Sequence, residues 1–151
     1  MLKFTQRVSH HSDYADSVTL TFEQRTKGRL KITMDSGDEA GLFLERGPIL
    51  RNGDCVSTDD GKIAKIKAAD ETVSTVYLDD ALMLSRVCYH LGNRHIPLQI
   101  SKGMARFQHD HVLDDLVKAL GLDVVCEQAP FEPEPGAYGE HGSDHSHGHS
   151  H

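Results

Sequence analysis

The 151-residue chain contains no tryptophan, and aromatic residues of all kinds make up only 6% of it. Any buried core must therefore be built mainly from Leu, Val and Ile, with little aromatic bulk to anchor it. Long uncharged apolar runs are missing too. No stretch approaches the roughly 18 residues that suggest a membrane span, so no membrane contact is expected. Basic blocks are absent, and the net charge is -7 with histidine neutral. A nucleic-acid-binding surface needs clustered Lys and Arg to neutralise phosphates, so that class is set aside. Cysteine is scarce: Cys55, Cys88 and Cys126 are isolated, odd in number and without CxxC spacing. That usage argues against a disulfide framework or a structural zinc knot and fits a reducing, cytoplasmic setting. Residues 1–8 alternate polar and apolar side chains without an apolar h-region, so no signal peptide is expected.

What the chain has in excess is histidine. There are eleven, and five of them fall in the last eleven residues.

The first 69 residues read as short strands separated by turns. Val18-Thr19-Leu20-Thr21-Phe22 and Leu30-Lys31-Ile32-Thr33-Met34 alternate with period two, and Ala40-Gly41-Leu42-Phe43-Leu44 forms a further segment. Asn52-Gly53-Asp54 is a tight-turn signal, and Asp59-Asp60-Gly61 closes a hairpin onto Ile63-Ala64-Lys65-Ile66. This spacing predicts a small all-β sandwich or barrel. Near Ala68-Ala69-Asp70 the pattern changes, which places a domain boundary there. Residues 70–131 read as strand, helix, two strands, helix and strand: the ferredoxin-like βαββαβ plan, making the fold α+β overall. The first helix is capped by Asp79 or Asp80, carries Leu84, Val87, Cys88 and Leu91 on one face, and ends at a left-handed cap at Gly92-Asn93. The second is capped by Asp110, carries Val112, Leu113, Leu116, Val117 and Leu120, and ends at Gly121. Leu122–Cys126 is the expected last strand. From Glu132 to residue 151 a Pro-rich acidic linker and a His-rich segment have little to bury and are expected to be a disordered tail.

His145, His147, His149 and His151 stand at every second position with Ser or Gly between. Small spacers leave the backbone free to wrap, so several imidazoles can converge on one ion. Imidazole suits nickel, copper and zinc. Engineered tags are usually uninterrupted His runs, so a native metal-binding tail is the favoured reading over an expression tag. Two further groups lie in the second domain. His90 and His95 flank the end of its first helix, and His109 and His111 straddle the cap of its second. Each pair alone suits ordinary surface histidines as well as ligands. Neither offers enough donors for a full coordination sphere, so a folded site would need a second copy of the chain or the tail.

Tyr89-His90-Leu91-Gly92-Asn93-Arg94-His95-Ile96-Pro97-Leu98-Gln99 closely resembles the UreE family of urease accessory proteins. Residues 41–54, reading Gly-Leu-Phe-Leu-Glu-Arg-Gly-Pro-Ile-Leu-Arg-Asn-Gly-Asp, and 109–115, reading His-Asp-His-Val-Leu-Asp-Asp, extend the likeness across residues 1–131. The resemblance implies a homodimer joined through the ferredoxin-like domains, with His95 from each copy sharing one Ni(2+) across the two-fold axis. It makes His109 and His111 a peripheral binding pair and His90 a further contributor. It implies that the first domain faces protein partners, and that the metal passes to the urease accessory GTPase and on to apo-urease. The tail is shorter than in the most His-rich members of that family, which argues against bulk nickel storage.

The expected role is thus a nickel-binding metallochaperone and not an enzyme, with Zn(2+) or Cu(2+) able to compete for the same imidazoles. A general divalent-metal buffer is the alternative. A metallohydrolase is the enzyme alternative, but there is no HExxH, and no acid or base is obviously paired with His90 or His95.

Overall fold

Alternating side chains commit much of the first 69 residues to extended backbone. The computed structural model describes residues 1–9 and 13–136. The chain divides between Ala69 and Asp70 into two compact units. The first holds β1 (Leu2–Val8), β2 (Asp16–Leu20), β3 (Arg29–Thr33), β4 (Glu39–Phe43), β5 (Cys55–Thr58) and β6 (Ile63–Ala68). They form one sheet in the order β2-β6-β5-β1-β4-β3, with β1–β4 and β2–β6 parallel and the other pairs antiparallel. The two edges are stitched together. The Asp35 N–H donates to the Ser17 carbonyl at 2.8 Å, and the Ser17 hydroxyl donates to the Asp35 carboxylate at 2.6 Å. The sheet is therefore a nearly closed barrel, filled by Phe4, Val18, Leu20, Ile32, Leu42, Val56 and Ile66. Gly53 and Gly61 take the positive φ (both 93°) that their tight turns require.

One expectation for this unit fails. The strand expected through Phe22 stops at Leu20, and a single helical turn, α1 (Phe22–Arg25), follows, so the unit is not purely β. Thr21 and Gln24 form a reciprocal capping box, and that local chemistry wins over the alternation. The turn swings Arg25 inward, where its guanidinium donates to the Leu20 and Leu50 carbonyls.

The second unit holds β7 (Asp70–Tyr77), α2 (Ala81–Gly92), β8 (Gln99–Ser101), β9 (Met104–Gln108), α3 (His111–Ala119) and β10 (Val125–Pro130). This is the β-α-β-β-α-β order read from the sequence. The sheet runs β10-β7-β9-β8 with every pair antiparallel. Val87 and Leu91 of α2 and Leu113 and Val117 of α3 pack with Val76, Ala105 and Phe107 in one core. Val112, expected on the apolar face of α3, is 58% exposed.

Three boundaries move. Asn93 is right-handed and the left-handed position falls instead on His95. The last strand starts at Val125, because Leu122 and Val124 pack against the helical core before pairing begins. The chain also stays docked beyond residue 131. Phe131 is buried, the Glu132 N–H donates to the Gln99 side chain at 2.9 Å, and the Glu134 N–H donates to the Leu98 carbonyl at 2.8 Å. The acidic linker therefore begins its course bonded alongside β8. The expected tail histidines His145, His147, His149 and His151 lie outside the described residues.

Candidate metal centre

The four histidines singled out in the second unit are all exposed. His90 lies in the last turn of α2, its ring edge-on to Tyr89 with centroids 5.3 Å apart. His95 follows the helix through two tight turns, with the Arg94 N–H donating to the Leu91 carbonyl and the His95 N–H to the Gly92 carbonyl, each at 3.0 Å. At φ 58° it is the one non-glycine residue among those described with a left-handed backbone. Such a conformation costs about 1–2 kcal/mol for a residue bearing a Cβ. Residues held this way tend to cluster at ligand clamps and active sites. Its ring has no partner among the described residues.

His109 is held differently. Its backbone N–H donates to the Thr72 carbonyl at 3.2 Å. Its Nδ1 lies 3.1 Å from the Ser74 hydroxyl and 3.4 Å from Asp114 Oδ2. Asp110, between His109 and His111, is extended (φ -158°, ψ 120°) and caps α3 by accepting from the Val112 and Leu113 N–H groups. Extended backbone between two residues tends to send their side chains to the same side. The cap commits Asp110 Oδ1 to two backbone N–H groups. His109 further borders a small cavity of about 160 Å³, whose wall includes Ile96 and Pro97, the two residues after His95, with Phe107 and Leu113 behind.

Among the described residues, no three His, Cys, Asp or Glu side chains form a group able to hold a metal ion. Each of the two exposed histidine pairs is therefore too small by itself to fill a coordination sphere. Ser74 and Asp114 carry no signal in the sequence that ties them to His109. One is on a strand and the other on a helix, and nothing in their spacing from His109 marks them. Elsewhere in this unit, Tyr77, Thr75 and Arg106 surround Glu127, with the Tyr77 hydroxyl at 2.5 Å. These hydrogen bonds, Tyr77 first, hold its carboxyl below the ordinary glutamate range. Burial, and secondarily the Glu134 carboxylate, pushes the Cys88 thiol up, which disfavours the thiolate a metal needs.

Comparison with known families decides the lineage. Residues 4–69 match the model of the UreE urease accessory protein N-terminal domain, and residues 71–151 that of its C-terminal domain. The chain belongs to the UreE family. It is 52% identical to the urease accessory protein UreE of Aliivibrio fischeri strain MJ11, over 100% of both chains. It is 51% identical to that of Vibrio parahaemolyticus, over 100% of this chain and 99% of the relative. The Proteus mirabilis UreE is 50% identical over 92% of this chain and 91% of its own length. UreE proteins are named as accessory proteins, and this member of the family is not an enzyme. No helix among the described residues is long and apolar enough to cross a membrane.

Proposed function

We propose that the chain is a cytoplasmic nickel metallochaperone that binds Ni(II) and hands it to the urease accessory GTPase for assembly of the urease metallocentre. The observation that carries this reading is His95: exposed, left-handed and without a ring partner among the described residues, in a chain whose relatives are named urease accessory proteins. An imidazole so presented is free to turn toward an ion. Neutral nitrogen suits Ni(II), and equally Zn(II) or Cu(II), so selectivity must come from geometry and from metal supply.

One chain offers too few donors at His95, and a second copy doubles them. Leu82 and Tyr89, 61% and 67% exposed, lie seven residues apart on one face of α2 and supply apolar surface for such a homodimer. His90, on the same helix, adds a donor near that face. His109 and His111 form a peripheral pair, and His145, His147, His149 and His151 complete or feed either site. Ligands of this kind must be deprotonated, so acid weakens binding. An open site short of a full set of protein ligands releases its ion to an acceptor more readily than a closed cage of four does.

The delivery step is tested by loading the full chain with nickel, mixing it with the purified GTPase and separating the two. Nickel is expected on the GTPase, with transfer lost in His95→Ala. Nickel that stays on the chain would instead make the protein a divalent-metal buffer.

A further inference from the structure

Asp114 carries the one buried side-chain oxygen among the described residues that lacks a hydrogen-bond partner. It sits in the first turn of α3, it is 8% exposed, and its Oδ1 is buried with no hydrogen-bond partner among the described residues. Its other oxygen, Oδ2, faces His109 Nδ1 at 3.4 Å. Ser74, fully buried on β7, brings its hydroxyl to 3.1 Å from the same nitrogen. Two groups from two different elements thus converge on one edge of one exposed ring. No other histidine among the described residues is held in this way.

A carboxylate only accepts hydrogen bonds, whereas a hydroxyl can donate or accept. If Nδ1 carried its lone pair, the Asp114 oxygen would face it with no proton between them, and in a buried setting that repulsion is poorly screened. With the proton on Nδ1, the ring donates toward Asp114 and Ser74, and both contacts become favourable. The proton on Nδ1 leaves the lone pair on Nε2. Metal-binding histidines commonly show this arrangement, in which a carboxylate or other acceptor fixes the tautomer and ring orientation from behind.

We infer that Asp114, assisted by Ser74, is a positioning residue that locks His109 in its Nδ1–H form and presents Nε2 to a divalent cation. The inference rests on the reading of His109 as a metal ligand given above, and it splits the pair. His109 is preorganised, whereas His111, exposed at the first position of α3 and without a partner among the described residues, must be ordered by the ion itself. His109 is therefore the anchor of the pair and His111 its adaptable second donor.

The test uses the full-length, metal-free protein labelled with ¹⁵N, with long-range proton–nitrogen spectra reporting which ring nitrogen carries the proton. His109 is expected to show the Nδ1–H signature. That signature should be lost in Asp114→Ala, weakened in Ser74→Ala and partly kept in Asp114→Asn, whose amide oxygen can still accept. In calorimetry with Ni(II), Asp114→Ala should weaken the His109 site by roughly 10–100-fold, the usual effect of losing such a partner. Amide spectra of β7 and α3 check the fold, and Asp114→Asn with Ser74→Ala carry the test if Asp114→Ala does not fold. A wild-type His109 with its proton on Nε2 would overturn the inference. So would a tautomer unmoved by the substitutions, or a moved tautomer with undiminished affinity. Undiminished nickel binding in His109→Ala would instead strike His109 from the proposed ligands, a failure the tautomer spectra do not share.

Discussion

His95 and His109 present imidazoles from the same unit by opposite means. His95 is set by its backbone, two tight turns beyond α2 and left-handed, while its ring is free among the described residues. His109 takes its orientation from its ring, whose Nδ1 edge is fixed by Ser74 and Asp114 from separate elements. A ring fixed in advance binds its ion without further ordering. One fixed only at its Cα keeps rotamers to lose, and it can serve a site that is finished only when another chain or segment arrives. Exposure alone does not define a metal ligand. What stands behind the ring decides whether it is an anchor or a partner.

The largest effects should come from the side chains beneath each histidine. Phe107, buried on β9, lies two residues before His109 and lines the cavity beside it, while Leu91, buried at the end of α2, accepts the turn that leads to His95. Phe107→Ala should cost about 3–5 kcal/mol and Leu91→Ala about 2–5 kcal/mol in urea unfolding, because each removes a filled core volume. Losses under 1 kcal/mol would mean that neither histidine stands on a rigid base.

A smaller effect isolates the backbone of His95. His95→Gly removes the Cβ that a left-handed residue must accommodate, whereas His95→Ala keeps it. The glycine variant should be the more stable of the two by about 1 kcal/mol, read from the same unfolding curves. The opposite order would show that position 95 is not left-handed in solution.

Much of this was legible in advance where the chemistry is local. Asp110 was readable as a cap because an Asp preceded an apolar helical pattern, and it does cap α3. Gly121, at φ 85°, ends that helix as expected. The β-α-β-β-α-β order followed from period changes and turn residues alone. Pattern and structure part where two local signals compete. Thr21-Phe22-Glu23-Gln24 carries both strand alternation and a capping box, and the box prevailed. Gly92-Asn93 has the composition of a left-handed cap, yet both residues remain in tight right-handed turns and pass the positive φ to His95. Long-range contacts were not legible at all. Ser74 meets His109 across 35 residues. The docking of Glu134 on Leu98 gives a segment that reads as a free linker a fixed place.

On the proposed function, two copies of His95 share one nickel ion. Equilibrium dialysis of the full chain with its four alternating tail histidines replaced by alanine, run beside light scattering, isolates that shared site. A dimer holding one tightly bound nickel per two chains is expected, with affinity falling by more than roughly 100-fold in His95→Ala, beyond the effect of losing an outer partner. A His95→Ala protein that binds nickel as tightly and in the same ratio would contradict it.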